Sequence, residues 1–551
     1  VTHSSSAMWT ALCGSKRNTE ERVSMRTKNS LINMVVGVGG YLLTMLLSFI
    51  SRMIFIRYLS AAYLGVNGLF SDILGMLNLA ELGIGSAMTY SMYKPAAEND
   101  HEQLGRLMNL YRVMYRAVAL FVLVAGLCLL PFLNVLIKGD SGIENLRVIY
   151  LLYLFNSVCS YLLSYKYSIL QAYQREYVRT ALDQLVHTAQ VLAQMAVLVL
   201  TRNFLLYLGV QIAAQLLLNL LVSLRVDHDY PHLKKVHGLP GKEERVGIEK
   251  NIWALSMHRL GNVVVNGTDN LIMSAFVGLT SVGIYSNYKL VTKSINDLLR
   301  KVYSAFTGSI GNLGATQDPE YIYRIYQQLD FFVFVFYGYF TAGMALLFNP
   351  FIRLVFGENY VFPQATVLVI VTQFYVTGVR QINLQFREAL GLFWHDRYKA
   401  VAESIINLVV SILLVKRFEV TGVFLGTIIS TMTTCFWVEP YVLMRYGIQK
   451  DWHAKLRAYF IEYGRRVLVV IGGGVMGWCL TGARGSSIWQ FFVSGVLFTC
   501  EYLVIIYLVY HKTEEFEALR SRAWGFVEKK LKKGKKVTVL GAGNVGASIA
   551  F

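Results

Sequence analysis

The chain has 551 residues, of which 55% are hydrophobic and 16% charged, and its mean hydropathy is positive at +0.45. A water-soluble protein of this size cannot bury so much apolar sequence, so the composition excludes a soluble enzyme and predicts a polytopic membrane protein. A formal net charge of +18 is also compatible with nucleic-acid binding. The basic residues, however, are spread through short segments between apolar runs, which indicates membrane topology and no nucleic-acid partner.

Apolar runs of about 20 residues predict fourteen membrane-spanning helices. Residues 1–24 precede them without periodicity or a signal-peptide core, so we expect a disordered tail there, with Met25 as a candidate start. The predicted spans are residues 31–51, 64–92, 113–137, 146–168, 182–201, 204–224, 252–277, 282–310, 329–349, 364–386, 400–416, 420–444, 464–483 and 487–510.

The distribution of basic residues predicts the orientation of these spans. With the amino terminus in the cytoplasm, the cytoplasmic segments contain 41 Lys and Arg residues and the external segments contain 9. Lys and Arg concentrate in cytoplasmic connections of membrane proteins. We therefore expect an even number of spans with both termini in the cytoplasm of a bacterial cell, as a multi-pass protein of its inner membrane.

An internal repeat relates the two halves of the chain. An offset of 218 residues carries the sequence YLGV at 63–66 onto SVGI at 281–284. The same offset relates two polar stripes, each spaced 3, 4 and 4 along a helix, so that each occupies one helix face. These stripes are Tyr41, Thr44, Ser48 and Arg52 in span one, and Arg259, Asn262, Asn266 and Asn270 in span seven. The repeat predicts two six-helix lobes that face a central cleft.

These patterns predict the division of the chain into segments. We expect a disordered tail at 1–24, an N-lobe of spans one to six at 25–226, a cytoplasmic linker at 227–251, a C-lobe of spans seven to twelve at 252–446, two additional spans at 447–510, a basic cytoplasmic tail at 511–536, and a Rossmann-like extension at 537–551. The extension contains GAGNVG but no second strand or acidic ribose ligand, so we expect no nucleotide cofactor.

Charged residues within the apolar runs are candidates for a transport path, because an ionisable group in lipid costs about 2.5–3.5 kcal/mol unless it faces protein or water. Arg52 is the first candidate for a substrate contact, since a guanidinium binds a diphosphate bidentately. The alternative is a buried ion pair with Asp72 or Glu81, two acids that we also consider as ion-coupling groups. On an ideal helix Asn67, Ser71, Asn78 and Glu81 share a face, which indicates that span two lines a cavity.

Spans seven and ten carry two further polar stripes. In span seven, His258, Asn262, Asn266 and Asp269 share a face, which is consistent either with a substrate path in which Asp269 carries a proton or sodium ion, or with hydrogen bonding between helices. In span ten the stripe consists of Gln373, Thr377, Arg380 and Arg387. We interpret Lys166, Lys289 and Lys293 as side chains that reach the cytoplasmic interface from helix ends.

Other chemistries lack a sequence signal. There is no Walker motif for ATP, and the six cysteines show no metal-ligand spacing, so we expect no metal and interpret the cysteines as packing residues. The external segments are too short for the active site of a membrane glycan polymerase or glycosyltransferase.

Four runs resemble polysaccharide transporters of the multidrug, oligosaccharidyl-lipid and polysaccharide exporter superfamily, with exopolysaccharide, capsule or O-antigen flippases the most similar branch. The runs are RYLSAAYLGVNGLFSDILGMLNLAELGIGSAMTYSMYKPAAEND at 57–100, GNVVVNGTDNLIMSAFVGLTSVGIYSNYKL at 261–290, FREALGLFWHDRYKAVAESIINLVVSILLVKRF at 386–418 and VTGVFLGTIISTMTTCFWVEPYVL at 420–443. The resemblance extends over residues 25–510. It implies an all-α, V-shaped bundle of two six-helix lobes with two additional helices.

The resemblance also implies the transport of undecaprenyl-diphosphate-linked oligosaccharide from the inner to the outer leaflet, without enzymatic activity. Lipid II flippases in this superfamily carry arginines in the first helix, and Arg52 is the residue that matches such a position. In this interpretation Arg52, Arg259 and Arg380 neutralise the diphosphate, and the glycan polymerase and glycosyltransferases of the pathway are partners. The alternatives are an ion-coupled drug or cation antiporter of the same fold, or a membrane glycan polymerase or scaffold.

Overall fold

A computed structural model describes residues 40–41, 44–81, 83–138, 142–173, 175–304, 310, 318–392, 395–482 and 487–521. Most of the backbone in these ranges is helical, and none of it forms a strand. Side chains at 79–80, 251, 253–266, 302 and 304 are outside the description. The predictions for the terminal segments 1–24 and 537–551 also lie outside the described residues.

The helices follow one another along the chain with short connections. The first half contains α1 (44–58), α2 (Ala61–Leu77), α3 (Ile84–Glu98), α4 (His101–Leu129), α5 (Leu133–Leu136), α6 (Leu146–Tyr161), α7 (Tyr167–Ala172), α8 (Glu176–Thr201) and α9 (Phe204–Asp229). The second half contains α10 (Lys242–Phe276), α11 (Leu279–Ser304), α12 (Pro319–Phe356), α13 (Gln364–Val379), α14 (Gln381–Ala389), α15 (Lys399–Thr433), α16 (Cys435–Val442), α17 (Trp452–Thr481) and α18 (Ile488–Tyr510).

The predicted all-helical membrane architecture is confirmed, and each predicted span overlaps a described helix. Within the described ranges, seven helical segments are long and apolar enough to cross a membrane. They are His101–Leu136, Leu146–Ala172, Glu176–Thr201, Phe204–Asp229, Pro319–Phe356, Gln364–Ala389 and Ile488–Tyr510. Several of the other predicted spans fall on helices that carry more charge, so the count of fourteen stays a prediction.

Span two differs from its predicted form. Instead of one helix, the chain forms α2, a 3₁₀ turn at Asn78–Glu81, and α3, with Gly83 at a left-handed φ of 86° between them. Glycine adopts this backbone conformation without the steric cost that a side chain brings. The prediction that Asn67, Ser71, Asn78 and Glu81 share one ideal helix face was therefore wrong for Asn78 and Glu81, because the helix ends at Leu77.

A tight reversal at Glu419 separates predicted spans eleven and twelve. Glu419 has φ 48° and ψ −130°, and the two arms of α15 fold back on each other. A Cβ atom on Gly422 would lie 2.4 Å from the carbonyl oxygen of Leu414, and one on Gly426 would lie 2.1 Å from the Ser411 hydroxyl. The small residues thus permit the close approach of the two arms.

Apolar side chains form two large cores that divide the molecule at the start of α11. One core contains buried residues between Phe55 and Leu279, including the edge-to-face pair Phe70 and Tyr150. The second contains residues between Met273 and Tyr510. Helices α17 and α18 belong to the second core and pack on α12, where Lys455 is 2.9 Å from Glu320.

Helices α2 and α11 cross almost backbone to backbone between the two cores. A Cβ atom on Gly65 would lie 2.0 Å from the carbonyl oxygen of Leu279, and one on Gly283 would lie 1.9 Å from the carbonyl oxygen of Ala61. Both pairs of equivalent residues are separated by the 218-residue offset of the sequence repeat. The crossing is therefore a symmetric contact, in which each half supplies the same glycine and the same facing carbonyl.

The cysteines are less buried than a packing role predicts. Of the five described cysteines, Cys159 and Cys435 are buried, whereas Cys128, Cys479 and Cys500 are exposed, and all five are free thiols. The exposed positions lie on α4, α17 and α18, among other exposed apolar side chains. Packing therefore accounts for two of these thiols and leaves the other three on the outer surface.

We expect Gly65→Ala to destabilise the protein by about 1–3 kcal/mol, because the added methyl group meets a backbone carbonyl that cannot rotate away. Thermal unfolding in detergent, measured by tryptophan fluorescence, tests this effect. Gly75→Ala is the matched control, since it lies on the same helix and its added methyl group would meet no other part of the described structure within 4 Å. Equal unfolding temperatures for both variants would contradict the tight crossing.

Candidate functional site

Arg52 of α1 contacts the second half of the protein. Its Nη1 donates a hydrogen bond to the Ser286 hydroxyl of α11 at 2.9 Å, and Tyr153 and Tyr207 are its electrostatic neighbours. Within the described residues it forms no ion pair. The alternative that Arg52 is neutralised by Asp72 or Glu81 is therefore not what the structure shows. The guanidinium is half-buried, and it carries a positive charge that no described carboxylate neutralises.

Asp72 forms a polar bridge from the middle of α2 to α10 and α11. Its Oδ2 accepts hydrogen bonds from Asn270 Nδ2 at 2.7 Å and from Lys289 Nζ at 3.4 Å. Asn270 is the repeat equivalent of Arg52. The interpretation of Lys289 as a residue at a helix end was wrong, because α11 begins at Leu279 and continues to Ser304.

Further charges follow Lys289 on the same face of α11. Lys293, Asp297 and Arg300 continue the stripe at spacings of 4, 4 and 3 residues. Asp297 accepts from Lys293 at 2.6 Å and from Arg300 at 3.2 Å, so one carboxylate faces two exposed cations. This charged stripe extends from the Asp72 bridge toward the end of α11 and has a surplus of positive charge.

A polar pocket of about 320 Å³ lies beside the charged stripe, between α11, α12 and α13. Asn296, Asp297 and Arg300 line it from α11. The residues of the predicted span-ten stripe that reach it are Gln373 and Thr377, joined by Gln381 and by the aromatic residues Tyr285, Tyr303, Tyr337 and Phe374. The lining thus combines aromatic rings with a small number of amide, hydroxyl and charged groups, a composition typical of sites for small molecules.

Asp269 lies in a buried polar contact between α10 and α15. Its Oδ1 accepts a hydrogen bond from Thr427 at 3.4 Å, and Thr427 also accepts from Asn407 at 2.9 Å. Asp269 precedes Asn270, so the contact continues the Asp72 bridge into the second half. The structure thus places Asp72 and Asp269 near one another through Asn270.

Glu81 contacts a different part of the protein. It accepts a hydrogen bond from Tyr115, which accepts from Tyr111 at 3.0 Å, both on α4. Asn67 and Asn78 are also bonded within the first half, to Tyr153 at 2.7 Å and Ser157 at 3.3 Å. The polar side of span two therefore stabilises the first half, and Glu81 is not part of the Asp72 bridge.

Arg380 is neutralised in a buried ionic cluster. Its guanidinium donates to Glu439 at 2.6 and 3.1 Å and to Glu403 at 3.1 Å. Lys399 is 2.7 Å from Glu439 and 3.0 Å from Asp396, which also accepts from Arg387. Three basic and three acidic groups balance one another. The uncompensated cation that the prediction of substrate binding assumed at Arg380 is therefore not what the structure shows.

Four candidates of span seven have no described side chain. His258, Arg259, Asn262 and Asn266 lie in α10, whose backbone is helical there, but their side chains are outside the description. Asn270 is the one member of the predicted repeat stripe in α10 that is described. Its contact with Asp72 shows that at least this end of the stripe faces the first half.

Similarity to a known protein family extends over the helices that carry these residues. The sequence model of the polysaccharide biosynthesis protein family matches residues 28–305, about half of the chain. The chain belongs to this family. The matched region includes α1, α2, α10 and α11, and therefore all residues of the Arg52 contact and the Asp72 bridge. No curated protein sequence matches the chain at a significant level.

Solved structures show that this family member has the fold of known transporters. The lipid II flippase MurJ in an inward closed conformation has a TM-score of 0.59 at 12% identity, covering 87% of this chain and 99% of MurJ. An inward-facing multidrug resistance MATE transporter of the MOP superfamily has a TM-score of 0.56 at 16% identity, with 74% and 96% covered. A MOP superfamily transporter from Pyrococcus furiosus has a TM-score of 0.50 at 14% identity, with 76% and 95% covered.

The charged stripe on α11 of this polysaccharide biosynthesis family member is visible in the sequence as a helical spacing of charged residues. The predicted bounds of span eight hid it. Predicted span eight begins at residue 282 and ends at 310, which moves Lys293 toward its cytoplasmic end. The spacing of Lys289, Lys293, Asp297 and Arg300 is nevertheless helical and places them on one face. The acids that neutralise Arg380 lie 23 and 59 residues away in the chain, and no local spacing indicates them.

We expect Glu439→Gln to destabilise the protein by about 3–5 kcal/mol, because it leaves Arg380 and Lys399 without their shared buried carboxylate. Thermal unfolding in detergent measures the loss. The control is Glu388→Gln, whose exposed carboxylate is 3.9 Å from Arg387 at the edge of the same cluster. An unchanged unfolding temperature for Glu439→Gln would show that the cluster does not hold α13, α15 and α16 together.

Proposed function

We propose that the protein is a flippase that moves a diphosphate-linked lipid oligosaccharide from the inner to the outer leaflet of the bacterial cell membrane for surface polysaccharide synthesis. The observation that carries this proposal is the surplus of positive charge along α1 and α11. Lys289 pairs with Asp72, and Lys293 and Arg300 share Asp297, whereas Arg52 bonds to the neutral Ser286 hydroxyl. The family membership and the fold shared with a lipid II flippase support it.

A path for this substrate must supply water and positive charge, because neither a glycan nor a diphosphate crosses hydrocarbon unaided. In the proposal Arg52 binds the diphosphate bidentately, and the lysines of α11 add charge toward the cytoplasmic end. Arg259 is a further candidate from the sequence repeat. The pocket of Gln373, Thr377 and the neighbouring tyrosines receives the sugar residues.

The movement in this proposal is a rocking of two lobes, residues 25–226 and 252–446, with both termini in the cytoplasm. The lobes turn about the contact of Gly65 with Gly283, where the backbones already touch. The Asp72 bridge to Asn270 and Lys289 crosses the same boundary, so it breaks or exchanges partners when the lobes move. The glycan polymerase and glycosyltransferases of the pathway are the proposed partners on the two membrane faces.

The membrane potential is a sufficient source of energy for this export. Moving about two negative charges out of a cell with a potential of 100 mV, negative inside, releases roughly 4–5 kcal/mol. Asp72 and Asp269 offer an additional coupling site for a proton or sodium ion, linked through Asn270. An antiporter of the same fold would require the same ion coupling. The two acids therefore do not distinguish a flippase from an antiporter, and the transported substrate does.

We expect Arg52→Gln to lower surface glycan by about tenfold or more and to accumulate lipid-linked precursor, since a charged hydrogen bond contributes about 1.5–3 kcal/mol. The assay complements a deletion strain and measures both glycans. Arg57→Gln is the matched control, because Arg57 is exposed on the same helix. Normal export by Arg52→Gln at normal protein level would refute the role of Arg52, and normal glycan in the deletion strain itself would refute the proposed function.

We expect Asp72→Asn to abolish any dependence of transport on a proton or sodium gradient. In the proposal a proton or sodium ion replaces Lys289 at the Asp72 carboxylate, and a neutral amide cannot bind either ion in this way. Flipping in proteoliposomes with each gradient imposed or dissipated tests this role. Asp183→Asn, an exposed acid on α8, is the control. If Asp72→Asn lowered the unfolding temperature but left the gradient dependence unchanged, Asp72 would be a structural bridge only.

A further inference from the structure

A second basic pocket lies in the first half, away from the charged stripe of α11. It has a volume of about 300 Å³ and lies between α4, α9 and the segment that connects α6 to α7. Arg112 and Arg116 line it from α4, Leu216 from α9, and Tyr161, Leu162 and Tyr165 from the end of α6 and the connecting segment. Neither the family match nor the proposed transport path gives this pocket a role.

The wall of this pocket is fixed by Asn219. Its Nδ2 donates to the carbonyl oxygens of Cys159 at 2.8 Å and Leu162 at 2.7 Å, and its Oδ1 accepts from Tyr167 at 2.8 Å. Leu163 has a left-handed φ of 66°, a conformation that a leucine adopts only when its surroundings impose it. The break between α6 and α7 is therefore a defined part of the fold, stabilised by the hydrogen bonds of Asn219.

The positive charges of the two arginines in the pocket are not neutralised by any acid in the described part of the chain. Arg112 stacks over the Tyr165 ring at 5.2 Å, and its buried Nε has no hydrogen-bond partner. Within the described residues, neither Arg112 nor Arg116 forms an ion pair. The adjacent Lys166 differs, because it is 2.7 Å from both the Ser223 hydroxyl and Asp227. A buried donor without an acceptor is costly, which indicates that the pocket is completed by an anion.

Exposed apolar side chains surround the pocket. Arg116 lies on the exposed face of α4 together with the apolar side chains of Val113, Leu120 and Val124, and Leu216 lies on a similar exposed apolar face of α9. Arg112 immediately precedes predicted span three, at the cytoplasmic boundary of the membrane in the proposed orientation. A cationic interior with an apolar rim at this depth is typical of a site for a lipid headgroup.

We infer that this pocket binds the phosphate of an anionic phospholipid from the cytoplasmic leaflet. Arg112 and Arg116 hold the phosphate oxygens, as guanidinium groups do in bidentate contacts. The acyl chains lie along Leu162 and Leu216, both of which are exposed. A lipid held here contacts α4, α6 and α9 at once and so joins three helices of the first half.

Native mass spectrometry of the full-length protein in detergent, titrated with phosphatidylglycerol, tests the inference. We expect one tightly bound lipid and about tenfold weaker binding in the variant Arg112→Gln/Arg116→Gln. Arg116→Gln alone, at an exposed position with no described partner, gives a folded variant with an intermediate loss. The matched control is Arg225→Gln, which removes the same charge at the cytoplasmic end of α9 and should bind normally.

Three further titrations identify the ligand. Equal affinity for phosphatidylcholine would overturn the inference, because the pocket would then select acyl chains and not the anionic headgroup. Displacement of phosphatidylglycerol by millimolar inorganic phosphate would assign the pocket to a free anion. Stronger binding of undecaprenyl diphosphate than of phosphatidylglycerol at these arginines would assign it to the transported lipid. Unchanged phosphatidylglycerol binding in all arginine variants would remove the site altogether.

Discussion

The contact of α2 with α11 is the constraint on which the rest of the structure depends. Gly65 and Gly283 bring two helix backbones together, and no side chain fits between them. This approach positions the polar residues that follow on each helix, so that Asp72 reaches Asn270 and Lys289 within hydrogen-bond distance. Without the crossing, each of these groups would need another partner or water in the middle of the membrane.

The intramembrane cations fall into two physical classes. Arg380 belongs to a cluster of three basic and three acidic groups, in which every charge is compensated and the cluster joins α13, α15 and α16. Within the described part of the chain, Arg52 has a neutral hydroxyl as its hydrogen-bond partner, and Arg300 and Lys293 share one carboxylate. The compensated class joins helices of the bundle, whereas the under-compensated class supplies the cations that the proposed function assigns to an anionic substrate. Burial alone does not separate the two, since both classes lie within apolar helices.

Sequence patterns predicted the helical architecture and the family, because apolar runs and short motifs are local properties. The offset of 218 residues also predicted that Gly65 and Gly283 are equivalent, and the structure shows them in contact. Ion pairing was less predictable. Arg380 resembles Arg52 in its local sequence, and the difference between them arises from Glu403 and Glu439, which only folding brings near. The break of span two at Gly83 was also missed, because glycines within an apolar run leave its hydrophobic pattern intact.

The two halves share their backbone arrangement but not their chemistry. Arg52 donates a hydrogen bond to Ser286 on one side of the crossing. The repeat equivalents of these two residues, Asn270 and Gly68, are also neighbours, because a Cβ atom on Gly68 would lie 3.4 Å from the amide nitrogen of Asn270. The position that carries a permanent positive charge in the first half carries a neutral amide in the second. Asn270 instead binds Asp72, which has no acidic counterpart at residue 290. In the proposed transport cycle, the symmetric scaffold lets two lobes rock about one contact, while the unequal side chains give one lobe the proposed anion-binding group and give the bridge between the lobes its acid.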